Sequence, residues 1–225
     1  MEAIVLAGGL GTRLRPVVGD LPKPMAPVKG RPFLELLLEY WIGQGVRRFV
    51  LSVGYRAERI SAHFGARWGG AAIDYAVEPA ALGTGGGLLQ AAGKATASDI
   101  LVMNGDTYFA VPLGELRTFH AERAADWTFA LFPSDDGRRY QGMALEEDGR
   151  VSVLAGNLGN GGVYLMRTLK LQSLPWAAGQ RFSLESELLP HAMRDGWRVF
   201  GRRFDRAFVD IGVPEDYRSA GTIIP

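Results

Sequence analysis

A glycine-rich turn directly after the first apolar segment is the feature that most constrains this chain. The segment Glu2–Ala7 predicts a buried strand, and it runs straight into Gly8-Gly9-Leu10-Gly11-Thr12-Arg13. Glycines in that position allow backbone N–H groups to approach a phosphate chain. In an open α/β sheet, ligands bind at the carboxyl ends of the strands. The turn therefore predicts an α/β fold with an anion site at the end of its first strand.

The rest of the sequence alternates short apolar runs with amphipathic stretches. Strands are predicted at Arg48–Val53, 72–77, 100–103 and 127–131, and helices at 33–42, Ala57–Phe64, 84–92 and 113–124. This alternation favours a Rossmann-like α/β fold, in which a mixed, mostly parallel sheet carries helices on both faces. Beyond residue 142 the pattern changes to strands at 151–154, 161–165, 197–202 and 207–210, with helices at 184–194 and from 214 onward. We expect one domain over 1–225, with an acceptor-binding region on the same sheet.

Composition excludes several classes of protein. The net charge of +1 provides no excess of positive charge for binding nucleic acid. The absence of Cys excludes disulfides and cysteine-based zinc sites. No apolar run approaches the length of a membrane-spanning helix, and no signal segment precedes the first strand. His63, His120 and His191 are scattered, and no Gly-x-Ser-x-Gly motif is present. We expect a cytoplasmic protein without nucleic-acid or membrane partners, and a homodimer is left open.

Two cations follow the glycine turn. Arg13 closes the turn, and Lys23 stands between two prolines that stiffen the backbone around it. The dinucleotide-binding fingerprint is not met because Leu14 occupies the place of its third glycine, and no P-loop sequence exists. A glycine turn alone is often only a structural turn. The combination with Pro-Lys-Pro is more specific, and it predicts that Arg13 and Lys23 hold one polyphosphate.

Two aspartates are predicted to end strands. Asp106 closes Asn104-Gly105-Asp106 after the apolar run 100–103, and Asp210 lies in Phe208-Val209-Asp210-Ile211-Gly212. One such aspartate is commonly a turn former or a helix cap. A pair at the same sheet edge can close on one ion, and Mg²⁺ takes one or two protein carboxylates together with phosphate oxygens and water. We predict that Asp106 and Asp210 hold Mg²⁺.

A second glycine run predicts the site of a base. Glu78 precedes Leu82-Gly83-Thr84-Gly85-Gly86, where a helix is predicted to open. Such a run lets a flat base lie against the backbone, whose N–H and C=O groups can read its edge. Glu78 could accept hydrogen bonds from guanine. The alternative is a helix N-terminus packed tightly for structural reasons.

These motifs resemble those of the sugar-1-phosphate nucleotidylyltransferase family, whose fold is the nucleotide-diphospho-sugar transferase type. The signature Gly-Gly-x-Gly-Thr-Arg-Leu-x-Pro with Pro-Lys-Pro is complete, and the resemblance spans essentially the whole chain. The segments around Lys23 and Asp210 are similar to those of D-glycero-D-manno-heptose 1-phosphate guanylyltransferases. This resemblance implies that the protein accepts GTP and a sugar 1-phosphate, and that it releases pyrophosphate.

The resemblance also implies residue roles. Arg13, Lys23 and Asp106 would be catalytic, and residues 1–135 would mainly bind nucleotide while 136–225 mainly bind the sugar phosphate. The implied nucleotide-binding residues are Leu6, Gly8, Gly9, Gly11, Thr12, Arg13, Glu78, Gly83 and Thr84. The implied sugar-phosphate-binding residues are Tyr140, Gly142, Asn160, Gly161 and Glu185.

One departure from the family pattern bears on the acceptor. Many relatives carry a Glu-Lys pair between the Asp-Gly-x-Val turn and the Asn-x-Gly strand, and the Lys of this pair binds the sugar phosphate. The corresponding stretch 151–159 here contains no Lys. Arg138, Arg139 and Arg181 are candidates to replace it. N-acetylmuramate 1-phosphate uridylyltransferase, a non-catalytic nucleotide-sugar binding subunit and a glycosyltransferase remain alternatives, although the last usually needs an Asp-x-Asp motif.

Overall fold

An eight-stranded sheet lies at the centre of the fold. The computed structural model describes residues 1–134, 142–152 and 156–225. The strands within these residues are β1 (Glu2–Ala7), β2 (Pro27–Val28), β3 (Arg31–Pro32), β4 (Arg48–Val53), β5 (Arg67–Trp68), β6 (Ala71–Val77), β7 (Asp99–Asn104), β8 (Thr107–Phe109), β9 (Trp127–Pro133), β10 (Ala144–Leu145), β11 (Val151–Ser152), β12 (Leu158–Arg167), β13 (Val199–Arg203) and β14 (Phe208–Asp210).

The helices cover both faces of this sheet. They are α1 (Arg15–Val18), α2 (Phe33–Gly43), α3 (Ala57–Phe64), α4 (Gly83–Ala92), α5 (Leu113–Glu122), α6 (Thr168–Gln172), α7 (Leu189–Arg194) and α8 (Pro214–Ile223), with a 3₁₀ turn at Lys23–Met25 and a π-helical turn at Leu184–Leu188. None of the helices in the described part of the chain combines the length and hydropathy needed to cross a membrane.

Strand direction confirms the mixed, mostly parallel sheet. The strand order is β13-β9-β12-β7-β1-β4-β6-β5. Strands β1, β4, β6 and β7 pair in parallel, while β12 runs antiparallel to both of its neighbours, β7 and β9. Strand β13 is parallel to β9, and the short β5 is antiparallel to β6.

Two hydrophobic cores lie on opposite faces of the sheet. Along β1 the side chains alternate, so that Ala3 and Val5 join one core while Ile4 joins the other. The first core includes Trp41 of α2, and the second includes Leu88 of α4. Because both faces are buried, β1 reads as a continuous apolar run in the sequence.

The order of the strands creates a switch point beside β1. The chain proceeds from β1 outward to β4 and β6, and then returns to place β7 on the other side of β1. Helical connections on either side of such a point diverge, which leaves a crevice at the carboxyl ends of the two strands. The amide of Gly105, just after β7, donates to the carbonyl of Leu6 at 2.8 Å, so the two ends lie side by side.

Most predicted elements are confirmed, and one prediction is corrected. The predicted helix at 184–194 is a π-helical turn followed by α7, and Pro190 lies in the first turn of α7, where its missing N–H is tolerated. Helix α6 was not predicted. The strand predicted at 151–154 is present as β11, whereas residues 153–155 lie outside the described part of the chain.

Candidate active site

A cavity of about 420 Å³ opens at the carboxyl ends of β1 and β7. Its lining includes eleven of the residues predicted to bind nucleotide or to act in catalysis: Leu6, Gly8, Gly9, Gly11, Thr12, Arg13, Lys23, Glu78, Gly83, Thr84 and Asp106. Residues from five separate stretches of sequence therefore converge at the switch point. The lining also contains Asn104, Arg181 and Gly212.

Asp106 and Asp210 meet because two short strands pair next to the main sheet. Strands β8 and β14 are antiparallel, and their register places Asp210 opposite Thr107. The amide of Ile211 donates to the carbonyl of Asp106 at 2.9 Å, which extends the pairing past the strand ends. The two predicted aspartates thus lie together despite their separation in sequence.

The ammonium group of Lys23 lies between these carboxylates. It forms an ion pair and hydrogen bond with Oδ2 of Asp106, and its Nζ lies 3.8 Å from Oδ1 of Asp210. The Lys23 side chain is only 11 % exposed, so the ammonium depends on these partners for much of its solvation. The amide of Gly212 also donates to Oδ1 of Asp210, at 2.7 Å.

The same carboxylates have the chemistry of a divalent-cation site. Two carboxylates at one point suit Mg²⁺ when phosphate oxygens and water complete its shell, and here both already contact a cation supplied by the chain. Within residues 1–134, 142–152 and 156–225 there is no group of three or more His, Asp or Glu side chains that could hold a metal alone.

The carboxylate of Glu78 packs against the glycine turn. Its Oε1 accepts from the hydroxyl of Ser52 at 3.0 Å, and its Oε2 accepts from the amide of Leu82 at 3.0 Å. A Cβ added at Gly8 would lie 1.9 Å from Oε1 of Glu78, so only glycine fits there. Both oxygens of Glu78 are thus engaged by protein donors, and the carboxylate links the first turn to the start of α4.

Two guanidinium groups at the cavity have no ion-pair partner within the described residues. Arg13 and Arg181 both line the cavity, and both are exposed. Some other arginines of the described chain are held in ion pairs, as in the contacts of Arg48 with Glu2 and Asp74. Unpaired Arg at a cavity is suited to bind phosphate, because the guanidinium offers a planar fork of donors. Arg138 and Arg139 lie outside the described residues.

Asn160 and Glu185, two of the predicted sugar-side residues, are not among the residues that line the cavity, and both act on Tyr164. The Nδ2 group of Asn160 donates to the Tyr164 hydroxyl at 2.8 Å, and Oδ1 of Asn160 accepts from the amide of Gly162 at 3.0 Å. Burial raises the pKa of Tyr164 well above its ordinary value, and the negative charges of Glu185 and Asp106 raise this pKa further. Asn160 therefore contacts this buried phenol, and the charges of Glu185 and Asp106 act on it. Sequence reasoning did not single out Tyr164.

Two predicted glycines pack against other parts of the chain, and one residue is not described. Gly161 is buried in an irregular stretch of β12, where an added Cβ would meet the ring of Phe109 at 2.4 Å. An added Cβ at Gly142 would meet the carbonyl of Gly156 at 2.7 Å. Neither glycine is among the residues that line the cavity. Tyr140 lies outside the described residues.

Comparison with known proteins agrees with this geometry. Residues 2–224 match the nucleotidyl transferase family. The chain is 40% identical to D-glycero-alpha-D-manno-heptose 1-phosphate guanylyltransferase of Aneurinibacillus thermoaerophilus, over 98% of this chain and 96% of the relative. It is 36% identical to the Campylobacter jejuni protein of the same description, over 96% of this chain and 97% of the relative.

A solved structure supports the same assignment. HddC of Yersinia pseudotuberculosis is 33% identical and superposes with a TM-score of 0.84, covering 98% of both chains, and it has also been solved in complex with GMP-PN. The present chain belongs to the nucleotidyl transferase family and is an enzyme of that class. The predictions of family, enzyme class and Rossmann-like fold are confirmed.

Proposed function

We propose that this enzyme transfers a guanylyl group from GTP to D-glycero-α-D-manno-heptose 1-phosphate, with release of pyrophosphate. The observation that carries the proposal is Lys23 between Asp106 and Asp210 at the mouth of the glycine turn. The similarity to two heptose 1-phosphate guanylyltransferases over nearly the whole of each chain supports the choice of base and sugar.

The reaction needs orientation and charge neutralisation more than it needs a base. An oxygen of the sugar phosphate attacks the α-phosphorus of GTP, and the bond from that phosphorus to the bridging oxygen of pyrophosphate breaks. A phosphate monoester has its second pKa near ~6, so the acceptor is already a dianion at neutral pH. Catalysis can therefore rest on positioned cations and backbone donors around the phosphates.

In the proposal, each cation of the cavity neutralises a different part of the reacting phosphates. Arg13 and the backbone N–H groups from Gly8 to Gly11 hold the β- and γ-phosphates that leave together. Lys23 moves from its carboxylate partners to the α-phosphate and the incoming sugar phosphate. Asp106 and Asp210 hold Mg²⁺, which supplies further neutralisation of phosphate charge when bound.

The acceptor side completes the proposal. Arg181 takes the place of the Lys that stretch 151–159 lacks, because it is the unpaired cation at the cavity from the second half of the chain. Asn160 and Glu185 receive the sugar hydroxyls. Residues 1–135 mainly serve the nucleotide and residues 136–225 mainly serve the acceptor. The base lies against Gly83 and Thr84, with Glu78 fixing the turn that receives it.

The test is pyrophosphate release in the presence of Mg²⁺. GTP, UTP, CTP, ATP and dTTP are each combined with D-glycero-α-D-manno-heptose 1-phosphate, mannose 1-phosphate, glucose 1-phosphate and N-acetylmuramate 1-phosphate. We expect release with GTP and the heptose phosphate at a kcat/KM at least tenfold above every other pair. Preference for UTP with the muramate would overturn the specificity, and silence with retained GTP binding would indicate a binding subunit.

A further inference from the structure

The hydroxyl group of Thr84 contacts the segment that carries Glu185. Sequence reasoning placed Thr84 with the nucleotide, because it follows Gly83 in the second glycine run. In the structure its Oγ1 donates to Oε2 of Glu185 at 3.0 Å and accepts from the amide of Leu184 at 2.9 Å. Both partners belong to the segment that leads into the π-helical turn. The side chain of Thr84 thus connects the start of α4 to the predicted sugar-binding carboxylate.

A second hydroxyl holds the same carboxylate oxygen. Oγ of Ser183 donates to Oε2 of Glu185 at 3.1 Å, and it accepts from the amides of Glu185 and Ser186 at the start of the turn. Among the described residues, Oε2 accepts both of these side-chain hydrogen bonds and Oε1 accepts none. Two donors on one oxygen fix the rotation of the carboxylate, and they leave Oε1 to accept from a ligand.

The backbones beneath these side chains are in direct contact. The amide of Phe182 donates to the carbonyl of Leu82 at 3.0 Å, and the amide of Gly85 donates to the carbonyl of Phe182 at 3.0 Å. Gly83 has φ +73, and an added Cβ there would lie 2.6 Å from that same carbonyl. The turn that would receive the base and the segment that carries Glu185 therefore form one hydrogen-bonded unit.

Glu185 also lies within the electrostatic reach of the sugar-side cluster. Its charge acts on the buried hydroxyl of Tyr164, which in turn accepts from Asn160. A carboxylate can present its remaining oxygen to a sugar hydroxyl in one direction only when its plane is fixed. Because Glu185 receives a sugar hydroxyl in the proposed function, its orientation matters for the acceptor.

We propose that Thr84 is a positioning residue for the acceptor, which aims the carboxylate of Glu185 at the sugar of the sugar 1-phosphate through the Oγ1–Oε2 hydrogen bond. The inference rests on the proposed function for the identity of the acceptor. It assigns the Thr84 side chain to sugar recognition, and it leaves only the Thr84 backbone to the nucleotide.

The test compares Thr84→Val with Thr84→Ser. Valine keeps the shape and β-branching of threonine but removes the hydroxyl, whereas serine keeps the hydroxyl. We expect Thr84→Val to raise the KM for the heptose phosphate about tenfold, since a hydrogen bond to a charged group is lost. The KM for GTP should stay within twofold, and Thr84→Ser should stay within threefold of the parent for both substrates.

A double-mutant cycle separates this role from a general loss of structure. If Thr84 acts through Glu185, adding Thr84→Val to Glu185→Ala, which removes the acceptor of the Thr84 hydrogen bond, should change the acceptor KM less than twofold. Thr222→Val is the matched control, because the Thr222 hydroxyl bonds only to Ser219 on α8. That variant should match the parent in both KM values.

The other outcomes of these measurements would contradict either the role of Thr84 or the proposed substrate. A rise in the GTP KM with an unchanged acceptor KM would return the Thr84 side chain to the nucleotide and overturn the inference. Additive effects in the cycle would also overturn it. If the parent enzyme turns over a different sugar phosphate, the proposed substrate fails and the same cycle is run on that acceptor. If it turns over none, urea unfolding of the four proteins measures the coupling, and additivity there would show that the hydrogen bond is absent.

Discussion

Lys23 and Asp106 form an ion pair at the junction of the glycine turn and β7, with Asp210 on the far side of the ammonium. The pair joins two segments that lie far apart in sequence. In the proposed reaction the pair also holds this cation next to the α-phosphate of the nucleotide. Its removal should therefore affect turnover much more than nucleotide binding.

Replacement of Lys23 by Ala should lower kcat by on the order of 10²–10³, equivalent to about 3–4 kcal/mol of transition-state stabilisation. The measurement is steady-state pyrophosphate release with GTP and the heptose phosphate, accompanied by circular dichroism to verify the fold. Lys94→Ala is the matched control, since Lys94 lies just beyond α4 and does not line the cavity. Near-parental kcat in a folded Lys23→Ala protein would contradict the role of this ammonium.

Removal of the same ammonium should expose a metal site in the nucleotide-free protein. Lys23 contacts both carboxylates, so a divalent cation must compete with it. We expect Lys23→Met to bind Mn²⁺ about tenfold more tightly than the parent when no nucleotide is present, since removal of the ammonium makes the charge around the two carboxylates more negative. Electron paramagnetic resonance of free Mn²⁺ gives the affinity directly.

Arg13→Met supplies the control for that titration. It removes a neighbouring cation of the same cavity that has no ion pair with either aspartate, and its Mn²⁺ affinity should stay within threefold of the parent. Addition of Asp106→Asn to Lys23→Met should abolish the gain. Equal Mn²⁺ affinity in the parent and Lys23→Met would show that the ammonium does not compete for this position.

The close approach of Gly8 to Glu78 predicts an effect on the stability of the fold. Because an added Cβ would lie 1.9 Å from Oε1 of Glu78, Gly8→Ala should destabilise the protein by about 1–3 kcal/mol. Gly114→Ala is the opposite case, since a Cβ at that position of α5 meets no atom within 4 Å. There we expect a gain of about 0.5–1 kcal/mol. Urea unfolding measures both, and destabilisation of equal size in the two variants would contradict the clash.

The lowered pKa of Glu2 predicts how the stability of the fold depends on pH. Partial burial would raise the pKa of this carboxyl, but hydrogen bonds from Thr96, the amide of Ala97 and Arg48 lower it to about 2. A carboxyl whose pKa is lower in the folded state stabilises the fold above its unfolded pKa of 4.5, and this contribution disappears as the pH falls toward 2.

Glu2→Gln should therefore be less stable than the parent at pH 7, and the difference should vanish as the pH approaches 2. Thermal unfolding as a function of pH gives this comparison. Glu122→Gln, an exposed change at the end of α5, should follow the parent at every pH. A difference between Glu2→Gln and the parent that is constant with pH would show that charge is not its cause.

The sequence allowed the strand pattern and the nucleotide side of the cavity to be predicted because these depend on local signals. Apolar runs give β4 with its observed bounds, and glycines mark both turns. Asp106 and Asp210 could be paired because each follows a strand. The orientation of the Thr84 hydroxyl could not be predicted, since it depends on Phe182 packing against α4, a contact between segments about a hundred residues apart.

Interruptions of regular secondary structure also could not be predicted from the periodicity of apolar residues. The run 184–194 has the apolar spacing of one helix, but it divides into a π-helical turn and α7. Tyr164 reads as an ordinary core residue of β12 in the sequence, and only its contact with Asn160 marks it as part of the site. Arg181 carried no distinctive neighbours in the sequence, and its position at the cavity follows from the attachment of Phe182 to Leu82.

The interleaved strand order means that this enzyme cannot be divided into two independent pieces. Strand β12 from the second half lies between β7 and β9 of the first half, and β9 in turn pairs with β13. A break in the chain after residue 134 would leave each fragment with unpaired backbone groups along a bare sheet edge. Such fragments would regain the fold only by complementing one another, which makes this connection a natural place to build a split reporter from the enzyme.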